Sequence, residues 1–105
     1  MKVIWDIKAK ETWLKTLWYI QAEFGYRSAL KFRKETSKAS KQIDKFPQSG
    51  SIEPLLTSSK FEFRSVLFGV YNKLIYHISE EAIYIVDVWD TRREPKQQAD
   101  ETVEK

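Results

Sequence analysis

Residues that could do chemistry are concentrated near the end of the chain, in residues 87–95, which read DVWDTRREP. This segment follows the most apolar run of the sequence and contains Arg92 and Arg93, two and three positions after Asp90. Arginines bind phosphates and carboxylates, and a carboxylate can accept a proton. The segment is therefore either the rim of a site for an anionic ligand or only the solvated end of a buried strand.

A second group of candidates lies in the two apolar runs before this segment. Arg64 stands in the middle of the first run, and Lys73 and His77 stand in the second, with His77 the single histidine of the chain. Cations and aromatic rings on one surface suit a phosphate backbone with stacked bases. The alternative is a half-exposed sheet with ordinary ion pairs between neighbouring strands.

The elements that must position these residues follow from the spacing of apolar side chains. Residues 2–5 form a short apolar run, which predicts a first strand. Apolar residues at three- and four-residue steps then predict a helix over residues 8–24 and a second helix of similar length that ends at Pro47. Gly25 separates the two, and so short a link predicts an antiparallel helix hairpin.

The second half of the chain predicts β structure. Residues 47–59 are rich in proline and serine and predict a loop, which we expect to be held to the body by Ile52, Leu55 and Leu56. Three runs rich in β-branched and aromatic residues follow, over residues 60–68, 71–78 and 83–89. The predicted order is β-α-α-β-β-β. This is an α+β fold with the helix hairpin on one face of a four-stranded, mainly antiparallel sheet.

The two faces of the sheet should differ in polarity. An unpaired carboxylate is costly to bury, so Asp87 is expected on the face away from the helices. Because side chains alternate along a strand, three residues of the last strand are then directed toward the helices: Tyr84, Val86 and Val88. Lys73 and His77 are expected on the same face as Asp87, open to solvent.

Composition limits the class of protein. A length of 105 residues predicts one domain, over residues 1–96, followed by a polar, flexible tail over residues 97–105. The chain has no cysteine, no run long enough to span a membrane and no signal-peptide pattern, which favours a soluble cytoplasmic protein. Seven of its lysines and arginines fall in residues 27–45. This basic face suits a nucleic acid or an acidic peptide, unless it is only a solvated helix face.

Four segments, taken in order, resemble the RelE/ParE superfamily of small bacterial toxins. They read KVIWDIKAKETWLKTLWYI, DKFPQSG, FEFRSVLFGVYNKLIYHI and IYIVDVWDTRREP, and the resemblance covers residues 2–96. Each segment is permissive, whereas their joint order and spacing are specific. The resemblance implies the same β-α-α-β-β-β fold and a toxin of a type II toxin–antitoxin system, a class associated with plasmid stabilization. It also implies a cognate antitoxin as partner, with no cofactor and no metal.

Two activities occur among members of this superfamily. RelE-like members cut mRNA, often inside the ribosome, and ParE-like members act on DNA gyrase. RNA cleavage without a metal needs a base for the 2′-hydroxyl, an acid for the departing 5′-oxygen and a cation for the phosphorane. By resemblance, Arg64 matches a phosphate-facing arginine, and Asp90 stands where several cleaving members have histidine. Because an ordinary aspartate is ionised at pH 7 and is a poor acid, His77 completes the candidate catalytic set.

The remaining candidates are binding residues for RNA, a target protein or the antitoxin: Lys60, Lys73, Tyr76, Arg92, Arg93 and Trp18. Trp18 lies off the apolar stripe of the first helix, so we expect it to contact the antitoxin. Three functions stay open. The chain is an endoribonuclease toxin (an mRNA interferase), a toxin that inhibits a protein such as gyrase, or a non-toxic member that serves as an antitoxin-binding or protein-interaction module.

Overall fold

The computed structural model describes residues 1–56 and 60–103, and within them the predicted α+β fold is confirmed. In chain order the elements are strand β1 (Lys2–Trp5), helices α1 (Ile7–Phe24) and α2 (Tyr26–Lys45), strands β2 (Ser51–Ile52), β3 (Phe63–Phe68), β4 (Asn72–Ile78) and β5 (Ala82–Asp90), and helix α3 (Pro95–Val103). The sheet order is β1-β5-β4-β3-β2, and only the β1–β5 pair is parallel. The two-residue strand β2 makes it five-stranded. No helix in the described ranges is long and apolar enough to cross a membrane.

The predicted helix hairpin forms and covers one face of the sheet. Gly25 joins the helices with a φ of 93°, a conformation that glycine tolerates best. The ring of Trp13 on α1 stacks on Phe32 of α2 at 5.8 Å, and its indole N–H donates to the hydroxyl of Thr36 at 2.9 Å. Both helices contribute to the main core cluster together with β3, β4 and β5. The apolar periodicity of the helices therefore located this half of the core correctly.

The pairing of β4 with β5 changes register in the middle of the strands. Ile75 is opposite Asp87, but the next residue of β4, Tyr76, is opposite Ile85. Val86 is therefore an extra residue on β5, which is the definition of a β-bulge.

The bulge alters which side chains of β5 reach the helices. Ile85 and Val88 belong to the core cluster beneath the helices, whereas Tyr84 and Val86 pack on the opposite side of the sheet. The prediction that Tyr84 and Val86 face the helices is wrong, because simple alternation does not hold across a bulge. Val88 does face them, and Asp87 lies on the other side, as predicted.

The face away from the helices is not open. In place of the expected flexible end, Pro95–Val103 form helix α3, which packs over this face, while residues 104–105 lie outside the described ranges. Ala99 of α3 joins a second buried cluster with Leu56, Phe63, Ile75, Val86 and Trp89. Three residues were expected to hold the loop over residues 47–59 to the body. Leu56 is buried at 1% exposure, whereas Ile52 and Leu55 are each 47% exposed. Loop residues 57–59 lie outside the described ranges.

Candidate functional site

The three candidate catalytic residues lie in separate parts of the sheet. Arg64 is opposite Tyr76, and His77 follows on β4 with its side chain on the other face. Asp90 is opposite Asn72, at the far end of β4 from His77. Five residues of strand separate these positions, which is about 16 Å at 3.3 Å per residue. Acid and base must both lie within hydrogen-bond reach of the reacting atoms, so His77 and Asp90 cannot serve one phosphate.

Arg64 points to the helix side of the sheet and holds the chain's own loop. Its Nη1 donates to the carbonyl oxygens of Gly50 at 2.8 Å and Gln48 at 3.3 Å, and its Nη2 pairs with Glu62 at 3.1 Å. The side chain is 17% exposed. The guanidinium is therefore engaged by backbone and by a carboxylate, and it does not share a face with Lys73.

Tyr76 on β4 binds the same loop through its hydroxyl. Its hydroxyl donates to the carbonyl of Pro47 at 2.6 Å and accepts from the N–H of Gly50 at 3.0 Å. The residue is fully buried, and this burial raises the pKa of the Tyr76 hydroxyl. A side chain at Gly50 would crowd Tyr76 and come within 2.9 Å of the Ser65 carbonyl oxygen, so only glycine fits there. Tyr76, predicted as a binding residue, is part of the loop's support.

His77 lies in a cluster of aromatic rings. Its imidazole stacks on Phe61 at 4.5 Å, and Phe63 and Tyr84 approach it at 5.4 and 5.5 Å. Burial lowers the pKa of His77, which favours the neutral ring. Its Nδ1 is buried and has no hydrogen-bond partner among the described residues. The surroundings are those of a half-buried packing residue rather than of a proton shuttle.

Lys73 is neutralised by a carboxylate that the sequence did not point to. Its Nζ lies 2.7 Å from an oxygen of Glu53, and the same oxygen accepts from the hydroxyl of Ser65 at 2.6 Å. The ammonium also stands 5.5 Å from the centre of the Trp89 ring. Glu53 is almost fully buried, so the Lys73–Glu53 pair is part of the packed structure on the sheet face away from the helices. The only signal for Glu53 in the sequence is that it is the single charged residue of an otherwise neutral loop.

The end of the last strand does form a concave surface, between α1 and the start of β4. We call it the basic groove; its volume is ≈ 520 Å³, which is in the size range of small-ligand sites. Its lining includes Lys15, Tyr19, Tyr71, Asp90, Arg92 and Arg93. Sequence reasoning placed Asp90, Arg92 and Arg93 together. It missed Lys15 and Tyr19, which reach the groove because α1 packs beside β5. It also missed Tyr71, which precedes β4 and whose carbonyl accepts from the N–H of Thr91 at 2.6 Å.

Ion pairs set the charge of the basic groove. Arg92 binds Asp90 through two bonds, Nε to Oδ1 at 3.1 Å and Nη2 to Oδ2 at 2.9 Å, and its guanidinium lies 4.2 Å from the Tyr71 ring centre. Arg92 lowers the pKa of Asp90, so this carboxyl is ionised and cannot act as an acid near neutral pH. Arg93 pairs with Glu101 of α3 at 3.1 Å. Lys15 adds a cation with no ion pair among the described residues.

A separate apolar patch lies on the exposed side of α1. Trp18 is 68% exposed, and Ile7 and Leu14 lie on the same side of the helix at seven- and four-residue steps. A shallow cleft beside Leu14 has a volume of ≈ 330 Å³ and is lined by Trp5, Lys10, Trp13, Leu14 and Thr36. We call Ile7, Leu14 and Trp18 the α1 patch. Lys60, the remaining predicted binding residue, is exposed and lines neither the basic groove nor the cleft beside Leu14.

The described residues contain no group of three or more His, Asp or Glu side chains that could hold a metal ion. The arrangement offers two surfaces, one cationic and one apolar, which suit binding. Among the described residues, the candidates His77 and Asp90 do not form a pair placed for proton transfer to one substrate.

Comparison with known proteins agrees with this fold. A solved structure, described as the chromosomal ParDE TA system from P. aeruginosa, matches with a TM-score of 0.70 at 15% sequence identity, over 86% of this chain and 95% of the other. At that identity the match speaks for the fold alone. No curated protein matches the chain significantly. The sequence matches the family described as the ParE toxin of the type II toxin-antitoxin system parDE over residues 3–95. The chain therefore belongs to the ParE toxin family of type II toxin–antitoxin systems.

Proposed function

We propose that this protein inhibits growth by binding a protein target of the DNA gyrase type, and that it does not cut mRNA. Membership of the ParE toxin family supports the role of a toxin with a cognate antitoxin. The observation that carries the choice between targets is the separation of the candidate catalytic residues. His77 and Asp90 stand at opposite ends of β4, and Arg64 is bound to its own loop.

Neither Asp90 nor His77, the two described residues considered for proton transfer, is placed as a general acid for RNA cleavage. Asp90 is held ionised by Arg92, and the only histidine is a ring packed among aromatic side chains. The two candidate cations on the sheet are also engaged, Arg64 by carbonyl oxygens and Lys73 by Glu53. A binding activity needs none of these proton transfers.

The basic groove suits an acidic segment of a target protein. Arg92 is exposed, and Asp90 takes only two of the five N–H donors of its guanidinium, so a carboxylate of the target can bind the same side chain. Lys15 and Arg93 supply further positive charge at the rim, and Tyr19 and Tyr71 supply ring surface. Aromatic and arginine side chains are the residue types most enriched at protein interfaces.

The α1 patch is the proposed docking surface for the antitoxin. It is apolar, exposed and lies on a helix, and an amphipathic segment can cover it with apolar side chains at helical spacing. Because the α1 patch and the basic groove involve different residues, an antitoxin on the patch blocks the toxin either by its bulk or by extending into the groove.

The test is to induce the chain alone in cells and to map RNA ends and gyrase-linked DNA breaks in the same culture. We expect growth arrest with DNA breaks and intact mRNA, lost in the double variant Arg92→Gln/Arg93→Gln. The matched control is Arg33→Gln/Lys96→Gln, which removes the same charge from two exposed positions outside the groove. Co-expressed antitoxin should restore growth with the wild-type chain and fail to restore it with Trp18→Ser.

Two outcomes would overturn the proposal. Discrete mRNA fragments that disappear in Arg64→Ala would establish the RelE-like activity instead. Normal growth after induction of the soluble, folded chain would mean that it is a non-toxic member and serves as an antitoxin-binding or interaction module.

A further inference from the structure

The exposed side of α2 carries six basic residues in one straight row. They are spaced alternately by four and three residues: Arg27, Lys31, Lys34, Lys38, Lys41 and Lys45. At 3.6 residues per turn this spacing keeps all six within an arc of about 80° around the helix. All six are exposed to solvent. We call this set the α2 row.

The α2 row is long and carries a single sign of charge. From Arg27 to Lys45 it extends about 27 Å at 1.5 Å per residue, with a positive charge about every 5 Å. None of its members pairs with a carboxylate among the described residues. The two acids of the helix, Glu35 and Asp44, lie about 80–100° away from its centre line. Such a row is a regular linear polycation.

We propose that the α2 row binds the phosphate backbone of duplex DNA. B-form DNA carries a phosphate about every 3.4 Å on each strand, so the row spans the rise of about eight base pairs. The major groove of B-form DNA is wide enough to admit an α-helix and has phosphates along both sides. The deep, narrow major groove of an RNA duplex does not admit one, which favours DNA.

Other anionic partners fit the α2 row less well. Protein interfaces have cores that are depleted in lysine and contain apolar anchors, but every exposed residue of α2 between Arg27 and Lys45 is polar or charged. A helix that binds a membrane surface inserts an apolar side, whereas the apolar side of α2 is buried against the sheet. An acidic protein and an anionic membrane are therefore outcomes that the test must separate from DNA.

The α2 row is independent of the proposed target site. No residue of α2 lines the basic groove, and the α1 patch lies on the other helix of the hairpin. DNA binding by α2 therefore does not depend on whether the target of the toxin is gyrase or RNA. Loss of DNA binding and loss of toxicity can thus be scored separately.

The test measures binding of the purified chain to a labelled 20-base-pair DNA duplex by fluorescence anisotropy, at salt concentrations from about 50 to 200 mM. With six phosphate contacts the slope of log K against log salt is about −5.4, an affinity loss of about 10³-fold across this range. The triple variant Lys31→Gln/Lys34→Gln/Lys38→Gln should have a slope near −2.7, a loss of about 40-fold.

The matched control is the triple variant Lys10→Gln/Arg33→Gln/Lys96→Gln, which removes the same charge from exposed positions off the row. It should keep the wild-type slope, and circular dichroism should report the same helix content for all three proteins. Equal slopes for the two triple variants would mean that the salt dependence follows the net charge of the protein and not the α2 row, which would overturn the proposal. Tighter binding to an RNA hairpin, to polyglutamate of equal charge or to anionic vesicles than to the duplex would overturn it as well.

Discussion

The attachment of α3 to the sheet can be measured through a single hydroxyl group. Thr102 accepts a hydrogen bond from the indole N–H of Trp89 at 3.0 Å. Its one proton has two acceptors at 2.8 Å, the Asp87 carboxylate and the Gln98 carbonyl, and a charged acceptor binds it more strongly. The substitution Thr102→Val keeps the shape of the side chain and removes both bonds.

The expected loss of stability follows from what stays unpaired. The indole N–H of Trp89 loses its acceptor inside a buried cluster, which costs about 1–3 kcal/mol. Asp87 loses the hydroxyl of Thr102 but keeps the backbone N–H of Val88 and the ammonium of Lys8 at 3.5 Å. The cost of that lost bond is therefore about 1 kcal/mol. The free energy of unfolding should fall by about 2–4 kcal/mol. For a domain of this size that lowers the midpoint of thermal unfolding by at least about 8 °C.

The assay is thermal unfolding followed by circular dichroism, with urea unfolding followed by tryptophan fluorescence as a second measurement. The control is Thr16→Val, because the single bond of the Thr16 hydroxyl within the described part of the chain goes to the carbonyl of Thr12 in its own helix, at 2.9 Å. This change should stay within about 0.5 kcal/mol of the wild type. A midpoint for Thr102→Val within about 2 °C of the wild type would refute the docking of α3 on the sheet.

Two further substitutions test the loop support and the aromatic cluster. Tyr76→Phe leaves the Gly50 N–H and the Pro47 carbonyl unpaired, so urea unfolding should show a loss of about 2–3 kcal/mol, and a loss below about 0.5 kcal/mol would contradict the two bonds. Because burial depresses the pKa of His77 below its ordinary 6.5, the unfolded chain takes up this proton first as pH falls. Stability should therefore decline as pH falls below about 6.5, a decline that His77→Phe removes. An NMR titration midpoint for His77 above 6.5 would contradict this.

The helix hairpin could be predicted from the sequence because α2 is buried on one side only. Its buried residues recur at three- and four-residue steps, and its exposed residues are charged. Strand β5 is buried on both faces, so its apolar residues show no alternation that could reveal the bulge at Val86. Helix α3 escaped prediction because it is attached largely by hydrogen bonds of Gln98 and Thr102, and polar residues give no apolar pattern.

The candidate site was predictable only where its residues are neighbours in the chain. Asp90 and Arg92 are two residues apart after a strand, so their pairing follows from the local sequence. The partners of Arg64 and Lys73 lie in the loop around β2, and nothing in its proline- and serine-rich sequence indicates the path that brings Gly50 and Glu53 to them. Sequence reasoning therefore found the cations but not the groups that neutralise them.

The parallel pairing of β1 with β5 has a consequence during protein synthesis. The first strand is made well before its neighbour, Ala82–Asp90, which lies about 80 residues further along the chain. Contacts this distant in sequence form late, since the intervening chain must first close on itself. A nascent chain therefore has neither a finished sheet nor a groove until β5 has been translated, and a product truncated before Ala82 should be harmless to the cell that makes it.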